Sequence, residues 1–254
     1  LDANNGTQTF IPYRLDFDNS DDGGIQGWGF TGMMNNGSDN YADLFDPLKM
    51  TVGGAALTFT VGEVQPTDAY ENWNNQEYGF QLGINTSSEL GPFTVKSRLE
   101  APFTGITPQN FQSFGMFIGT GDQSNYLKFV ANAQSGNGGL QLLYEENDGG
   151  ANGSSLPDVQ DFPIPAVLTA DFIDIYLTVD PQSNHVQASY AIDGLNKTNL
   201  GSTISIPSSW TDSVMAMGFI SSSNNATPFP ATWYFFEIFR EPVTATGNWN
   251  QKTH

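Results

Sequence analysis

Apolar and polar residues alternate along most of this chain, in short segments separated by Gly, Asn, Asp and Pro. In residues 127–130 and 173–179 one face of the segment is apolar and the other is mostly polar. This period of two is typical of a β-strand that turns one face to the core and the other to solvent. The pattern predicts about twelve strands, at residues 14–18, 56–61, 78–84, 93–102, 113–119, 126–131, 139–145, 172–179, 185–192, 203–206, 214–221 and 232–239.

The spacing of these strands predicts the fold class. Turn residues recur about every ten positions, as in all-β sandwiches, so we expect two antiparallel sheets stacked face to face as a jelly roll. Polar segments at 122–125, 135–138 and 180–184 predict hairpins, so that residues 113–146 form a three-stranded meander. The only helical signal is a short turn near residues 207–212.

Two long stretches interrupt the strand pattern. Residues 19–54 contain many Gly, Asn and Asp, whereas the polar residues of 62–78 are mainly Asn, Gln and Glu, and aromatic residues are interspersed in both stretches. Long loops in a compact domain are usually either functional or poorly ordered. Because no repeat or linker is visible, we expect residues 1–254 to form one domain that includes both loops.

Aromatic side chains in these loops are candidates for binding sugars. The face of a Trp or Tyr ring packs against the apolar face of a sugar, while Asn, Gln and Asp hydrogen-bond its hydroxyl groups. Residues 70–78 combine both kinds of side chain and lack apolar periodicity. The predicted carbohydrate-binding residues are Tyr70, Trp73, Asn75 and Tyr78 of the second loop, with Trp28 and Tyr41 of the first. The alternative is that these rings hold the loops onto the sandwich.

The chain is strongly acidic, with 8 Lys and Arg against 27 Asp and Glu and a net charge of −19. Such a surface repels phosphate groups, so we expect neither nucleic acid nor a membrane as a partner. The absence of Cys excludes disulfides and thiolate metal sites and favours a bacterial source. Only 14% of residues are charged, and this largely neutral polar surface favours a secreted or cell-surface location. We expect that a secretory leader has been removed.

A calcium site is predicted after the first strand. Asp18, Ser20 and Asp22 place oxygen ligands at positions one, three and five, and Gly follows at position six, a spacing that wraps a loop around a hard cation. The Glu expected at position twelve is absent, and Asp16 and Glu237 are candidates for the missing ligands. The alternative is an ordinary turn stabilised by Asx side chains.

No catalytic constellation is visible in the sequence. The two His residues, His185 and His254, have no Ser in a nucleophile context near them, and without Cys they do not make a zinc site. Glu145 and Glu146 are adjacent on a strand, so they point to opposite faces and do not flank one glycosidic bond. The sequence therefore favours a binding module over an enzyme and indicates no catalytic residue.

Several segments resemble a known family. They are residues 15–18 (LDFD), 113–128 (SFGMFIGTGDQSNYLK), 173–180 (IDIYLTVD), 188–194 (ASYAIDG) and 232–237 (TWYFFE). Together they resemble the concanavalin A-like, laminin G-like jelly-roll modules of secreted bacterial proteins. The resemblance implies a lectin-like β-sandwich that binds glycans and often holds structural calcium.

Three functional hypotheses follow. The leading one is a non-catalytic module of a secreted or cell-surface protein that binds a polysaccharide or another glycan and holds a structural calcium ion. The second is a jelly-roll polysaccharide-degrading enzyme, a glycoside hydrolase or a lyase, with an unrecognised catalytic pair. The third is a structural or adhesive module of a larger surface protein. Fold alone does not decide among them.

Overall fold

The computed structural model describes residues 12–18, 24–87, 90–212 and 214–241. Within these residues the protein is mostly β, with fifteen strands in two sheets. The strands are β1 (Tyr13–Asp16), β2 (Gly32–Met33), β3 (Met50–Gly53), β4 (Thr58–Val64), β5 (Phe80–Asn85), β6 (Phe93–Glu100), β7 (Ser113–Gly119), β8 (Asn125–Asn132), β9 (Gly139–Glu146), β10 (Asp158–Pro163), β11 (Phe172–Asp180), β12 (His185–Ile192), β13 (Thr198–Ser205), β14 (Val214–Ser222) and β15 (Phe229–Phe239).

Helical structure in the same residues is limited to short turns. The α-helices are α1 (Gly24–Gly27) and α2 (Ser208–Thr211). Turns of 3-10 helix cover Tyr41–Leu44, Pro47–Lys49, Glu71–Trp73, Gln134–Gly136, Ala151–Gly153 and Pro165–Leu168. The helical turn expected near residues 207–212 is confirmed by α2. In this part of the chain no helix is long and apolar enough to cross a membrane.

An eight-stranded sheet and a seven-stranded sheet form the sandwich. The first has the order β13-β12-β11-β6-β15-β4-β3, with β1 also paired to β15, and the second has the order β10-β9-β8-β7-β14-β5-β2. The strand pairs are antiparallel. The expected two-sheet antiparallel sandwich is therefore confirmed. The meander of residues 113–146 is confirmed as well, because β7, β8 and β9 pair in sequence.

The main hydrophobic core lies between the sheets, because alternate residues of each strand point inward. The inward residues of β11 and β8 are Ile173, Ile175, Leu177, Val179, Leu127, Phe129 and Ala131. Trp233 of β15 stacks on Phe219 of β14 with 4.6 Å between ring centroids. The indole N–H of Trp233 also donates a 3.0 Å hydrogen bond to the carbonyl oxygen of Gly115 in β7. These contacts join the two sheets directly.

Three strands were not expected from the sequence, namely β2, β3 and β10. The first two lie within residues 19–54, which are therefore not loop throughout. At the edge of the seven-stranded sheet, β10 has exposed or half-buried side chains along its whole length. It lacks the buried face that gives a strand its apolar alternation, so the sequence pattern could not reveal it. The edge strand β13 begins at Thr198 rather than at residue 203 for the same reason.

The loop between β4 and β5, residues 65–79, packs on the outer face of the seven-stranded sheet and is called the covering loop below. Its Ala69 and Tyr70 belong to a second apolar cluster, separate from the main core. The other members are Met34, Phe117, Tyr126, Val130, Leu143 and Ile220. The seven-stranded sheet thus carries apolar side chains on both faces, as expected where both are covered.

Candidate functional site

A groove of about 440 Å³ lies on the outer face of the seven-stranded sheet, beside the covering loop. The strands contribute its polar floor, which consists of Ser113, Lys128, Asn132, Gln141 and Asp161. Surrounding loops add Asp68, Asn224 and Asn225. The aromatic and apolar lining consists of Tyr70, Trp73, Phe111, Leu143 and Val159. The groove therefore combines large apolar surfaces with hydrogen-bonding groups.

Strand register places the floor residues in rows. Lys128, Leu143 and Val159 lie opposite one another on β8, β9 and β10. Gln141 and Asp161 form the next pair on the same face of the sheet, two residues away from Leu143 on β9 and from Val159 on β10. On each of these strands the groove residues alternate with residues that face inward, so their side chains point away from the space between the sheets. The alternation that builds the sandwich therefore also builds the floor of the groove.

Two aromatic side chains of the groove are about half exposed to solvent. Trp73 is 43% exposed and Phe111 is 50% exposed. The backbone N–H of Trp73 donates to the carbonyl oxygen of Tyr70 at 3.2 Å, which closes a turn of 3-10 helix in the covering loop. The side-chain amide of the next residue, Asn74, donates to Asp148 at 3.0 Å and fastens this turn to the loop after β9. Exposed rings at a groove are candidates for ligand contact.

A buried ion pair joins the covering loop to the floor of the groove. The ammonium of Lys128 lies 3.1 Å from the carboxylate of Asp68, and the two side chains are only 3% and 5% exposed. Asp68 also accepts hydrogen bonds from the backbone N–H of Tyr70 at 3.2 Å, the hydroxyl of Ser222 at 3.0 Å and the amide of Asn224 at 3.3 Å. These donors occupy the carboxylate, which in turn holds Lys128 in place.

A second carboxyl group is buried beneath the covering loop and does not line the groove. One oxygen of Glu145 accepts hydrogen bonds from the backbone N–H of Glu71 at 2.8 Å and the hydroxyl of Tyr126 at 3.0 Å. Its other oxygen is buried without a partner among the described residues. Burial raises the pKa of Glu145 to about 8, against the lowering effect of both hydrogen bonds and of Lys128. The side chain is therefore protonated at neutral pH.

Amide side chains hold the C-terminal part of the covering loop in place. The buried Gln123 accepts from the backbone N–H of Gln76 at 2.8 Å and donates to the carbonyl oxygens of Gln76 and Met34 at 3.0 and 3.1 Å. Within the loop, the side-chain oxygen of Asn75 accepts from the backbone N–H of Asp68 at 2.9 Å. The loop is thus held by specific contacts, and the rings that it presents have defined positions.

The second loop contains four of the predicted carbohydrate-binding residues, and they differ in position. Trp73 and Tyr70 line the groove. Asn75 is exposed, and its side chain serves the internal hydrogen bonding of the covering loop. Tyr78 is only 1% exposed and packs in the main core beside Phe80. The choice of Tyr78 is wrong, because the polar segment around it ends where the buried strand β5 begins, and a buried ring cannot stack on a sugar.

The two predicted residues of the first loop lie apart from the groove. The rings of Trp28 and Tyr41 both pack near Phe45, at centroid distances of 6.2 and 6.0 Å. Trp28 also contacts Phe59 and Phe80 of the main core. Its position agrees with the alternative reading, in which the ring holds its loop onto the sandwich. Tyr41 is 45% exposed, and neither residue lines the groove.

The predicted calcium loop falls largely outside the described residues, which include neither Ser20 nor Asp22. Within the part of the chain that is described, no group of three or more His, Cys, Asp or Glu could hold a metal ion. Calcium binding therefore stays a prediction.

The remaining calcium candidates lie on the eight-stranded sheet or next to it. Asp16 and Glu237 both form ion pairs with Arg14, at 2.8 and 3.3 Å. Asp16 and Asp18 line a second cavity, of about 450 Å³, together with Arg14. The guanidinium of Arg14 thus already provides a positive charge for two of the candidate carboxylates.

The sequence did not predict most of the residues that line the groove. The residues not foreseen include Phe111, Lys128, Asn132, Gln141 and Asp161. A usable signal existed for Lys128 and Gln141, since each is a polar residue at an outward position of a predicted strand. No such signal existed for Asp161, because its strand was not predicted.

Comparison with known proteins supports the fold without placing the chain in a family. No family model and no curated protein matches the sequence. A protein of unknown function from Saccharomyces cerevisiae is similar in structure, with a TM-score of 0.56 and 14% identity over 77% of this chain and 94% of that one. A xylan β-1,4-xylosidase from Bacillus halodurans has a TM-score of 0.56 and 12% identity. The GH43B protein of a Bacteroides ovatus xyloglucan PUL has a TM-score of 0.55 and 12% identity.

The last two matches cover 91% of this chain but only 40% and 39% of the larger proteins. The chain therefore corresponds to less than half of each. At these identities the likeness shows a shared β-sandwich fold.

Proposed function

We propose that the protein is a non-catalytic carbohydrate-binding module that holds a polysaccharide in the groove. The observation that carries the proposal is the combination of the exposed rings of Trp73 and Phe111 with a floor of amide, carboxylate and ammonium groups. A sugar has apolar faces and a polar hydroxyl rim, so a site for it needs both kinds of surface.

The dimensions and rigidity of the groove support this proposal. Its volume of about 440 Å³ falls in the range of sites for small ligands, about 300–1,000 Å³. The covering loop is fastened by the Lys128–Asp68 pair and by Gln123, so little conformational freedom remains to be lost when a ligand binds.

The structural neighbours support a function related to polysaccharides. The names of two of them refer to xylan and xyloglucan, and the segments that resemble concanavalin A-like modules imply glycan binding. We extend from these proteins only the kind of ligand. Their reactions are not proposed for this chain, which matches less than half of each.

The proposal also includes one domain, a secreted or cell-surface bacterial location and one structural calcium ion. The acidic, cysteine-free composition supports the location. The loop that begins at Asp18 supports the ion, with Asp16 beside it in the second cavity. This calcium would stabilise the sandwich without contacting the sugar, since Asp16 and Asp18, the described residues at this end of the loop, do not line the groove.

A hydrolytic function has less support. A general acid must come within hydrogen-bond reach of the glycosidic oxygen. The raised pKa of Glu145 would suit such a role, but the side chain is fully buried beneath the covering loop. Glu145 can therefore affect the stability of the loop, but it does not reach a ligand in the groove.

Affinity electrophoresis in gels that contain different polysaccharides tests the proposal. We expect at least one polysaccharide to retard the protein, and Trp73→Ala to raise the dissociation constant at least about tenfold, or 1.4 kcal/mol. Tyr41→Ala is the matched control, because Tyr41 is equally exposed but lies outside the groove. The proposal fails if no polysaccharide retards the protein, or if both variants bind as the wild type does.

A further inference from the structure

We infer that the groove selects uncharged polysaccharides, and that Lys128 and Asp161 determine this specificity. The inference rests on the proposed function and adds the substrate class. Its basis is the charge and hydrogen-bonding capacity of these two side chains, one at the base of the groove and one on its outer strand.

Lys128 offers donors to a ligand without offering net positive charge. Its ammonium has three N–H groups, and in the described residues one of them is used, by Asp68. Because Asp68 is itself buried and ion-paired at 3.1 Å, the charge of the ammonium is balanced before any ligand arrives. Lys128 lines the groove although only 3% of its side chain is exposed, and we expect the remaining N–H groups to donate to a hydroxyl or ring oxygen of a bound sugar.

Asp161 provides a hydrogen-bond acceptor and a negative charge. Its Oδ1 accepts from the side-chain amides of Gln141 at 2.8 Å and Gln134 at 3.4 Å. None of the ion pairs in the described part of the chain includes Asp161. Its Oδ2 can therefore accept a hydrogen bond from a sugar hydroxyl, and its negative charge is uncompensated.

The lining of the groove thus holds two carboxylates and one ammonium, for a local charge of −1, within a chain of net charge −19. A sugar carboxylate or sulfate would approach Asp161 against like charge. A hydroxyl group can both accept from Lys128 and donate to Asp161. The two side chains therefore suit an uncharged, polyhydroxylated ligand and disfavour an acidic one.

Matched pairs of polymers test the inference with the unaltered protein. Suitable pairs are hydroxyethylcellulose with carboxymethylcellulose, and methyl-esterified with de-esterified polygalacturonate, compared at low ionic strength where charge effects are least screened. We expect binding to the uncharged member of at least one pair, at least tenfold tighter than to its charged counterpart. Equal or tighter binding to the charged members would overturn the inference and leave the proposed function standing. Retardation by neither member of any pair, nor by other polysaccharides, would overturn the proposed function itself.

Asp161→Asn tests the contribution of this carboxylate. The side chain is exposed, so we expect the variant to fold and to bind charged polymers several-fold more tightly than the wild type. Asp158→Asn is the matched control, since Asp158 is an exposed acid on the same strand but outside the groove lining. An unchanged ratio of affinities in Asp161→Asn would contradict the assigned role.

The role of Lys128 requires a paired substitution. Lys128→Met alone leaves Asp68 buried without its cation, so Lys128→Met with Asp68→Asn is used to keep the site neutral. We expect the double variant, checked for folding by circular dichroism, to lose about tenfold in affinity for the uncharged polymer. Unchanged affinity in a folded double variant would contradict the role of Lys128. If it does not fold, the polymer pairs and Asp161→Asn decide the preference for uncharged polymers, and a crystal structure of the wild type with a bound oligosaccharide decides whether Lys128 contacts the sugar.

Discussion

The ammonium of Lys128 on β8 and the carboxylate of Asp68 on the covering loop form an ion pair 3.1 Å long that is almost completely buried. Two charges withdrawn from water in this way are costly unless each finds a partner. Asp68 also accepts hydrogen bonds from three further donors, which lie in the covering loop, in β14 and in the turn after β14, and these offset the loss of hydration. The pair therefore connects the loop that carries Trp73 to the strands that form the groove floor.

Removing one member of this pair should destabilise the protein. Lys128→Met leaves a buried, uncompensated carboxylate, and we expect the free energy of unfolding to fall by about 3–5 kcal/mol. The double variant with Asp68→Asn should recover part of the loss, because no unpaired charge remains. Chemical denaturation at neutral pH measures both. A single variant as stable as the wild type would show that the pair does not hold the loop.

Glu145 should make stability depend on pH. Its pKa is raised from 4.5 to about 8 in the folded protein, so between these values the folded state binds more protons than the unfolded state does. The free energy of unfolding should therefore fall as the pH rises from about 5 to about 8, and level off above that. Thermal melts across this range measure the slope.

Glu145→Gln provides the comparison for this slope. Glutamine keeps an oxygen that accepts from Glu71 and Tyr126 but does not ionise. We expect a smaller decrease in melting temperature over the same pH range, and a variant more stable than the wild type near pH 9. Parallel pH profiles for the two proteins would contradict a raised pKa at Glu145.

Tyr78 and Trp73 should respond differently to truncation, although both belong to the covering loop. Tyr78→Ala removes a buried ring, and we expect a loss of about 3–5 kcal/mol in the free energy of unfolding. Trp73→Ala removes a half-exposed ring and should affect sugar affinity much more than stability. Denaturant titration and affinity electrophoresis of both variants measure the two effects. The assignment is wrong if Tyr78→Ala folds with wild-type stability.

Calcium, if bound as proposed, should raise the melting temperature. An ion at 100 times its dissociation constant adds about 2.7 kcal/mol to stability, so a chelator should produce a clear downward shift. The effect should persist in Trp73→Ala, because the calcium candidates that the structure describes, Asp16, Asp18 and Glu237, do not line the groove. Equal melting temperatures with and without chelator would contradict the proposed calcium site.

The fold was predictable where one strand face is buried and the other is not. Segments such as β11 and β12 gave an unambiguous period of two, and their bounds agree closely with the expected ones. The edge strand β10 has no buried face, so its residues carried no such pattern. The order of strands within the sheets depends on contacts between distant segments, which periodicity does not encode.

The groove was predictable only in part, for a related reason. Trp73 and Tyr70 were predicted because they lie in a polar segment without strand periodicity, where packing in a strand does not explain an aromatic ring. Tyr78 belongs to the same segment, and composition could not reveal that its ring enters the core. Lys128 and Asp68 are 60 residues apart in sequence, and only the packing of the covering loop on the sheet brings them together.

The position of a bound sugar shows most directly whether the groove is the binding site. A crystal structure of the protein with an oligosaccharide from the best-retained uncharged polysaccharide should show a sugar ring against Trp73, with hydroxyl groups in hydrogen-bond contact with Lys128 and Asp161. An ordered sugar found elsewhere, such as beside Trp28 and Tyr41 or on the eight-stranded sheet, with the groove empty, would rule out the groove as the binding site.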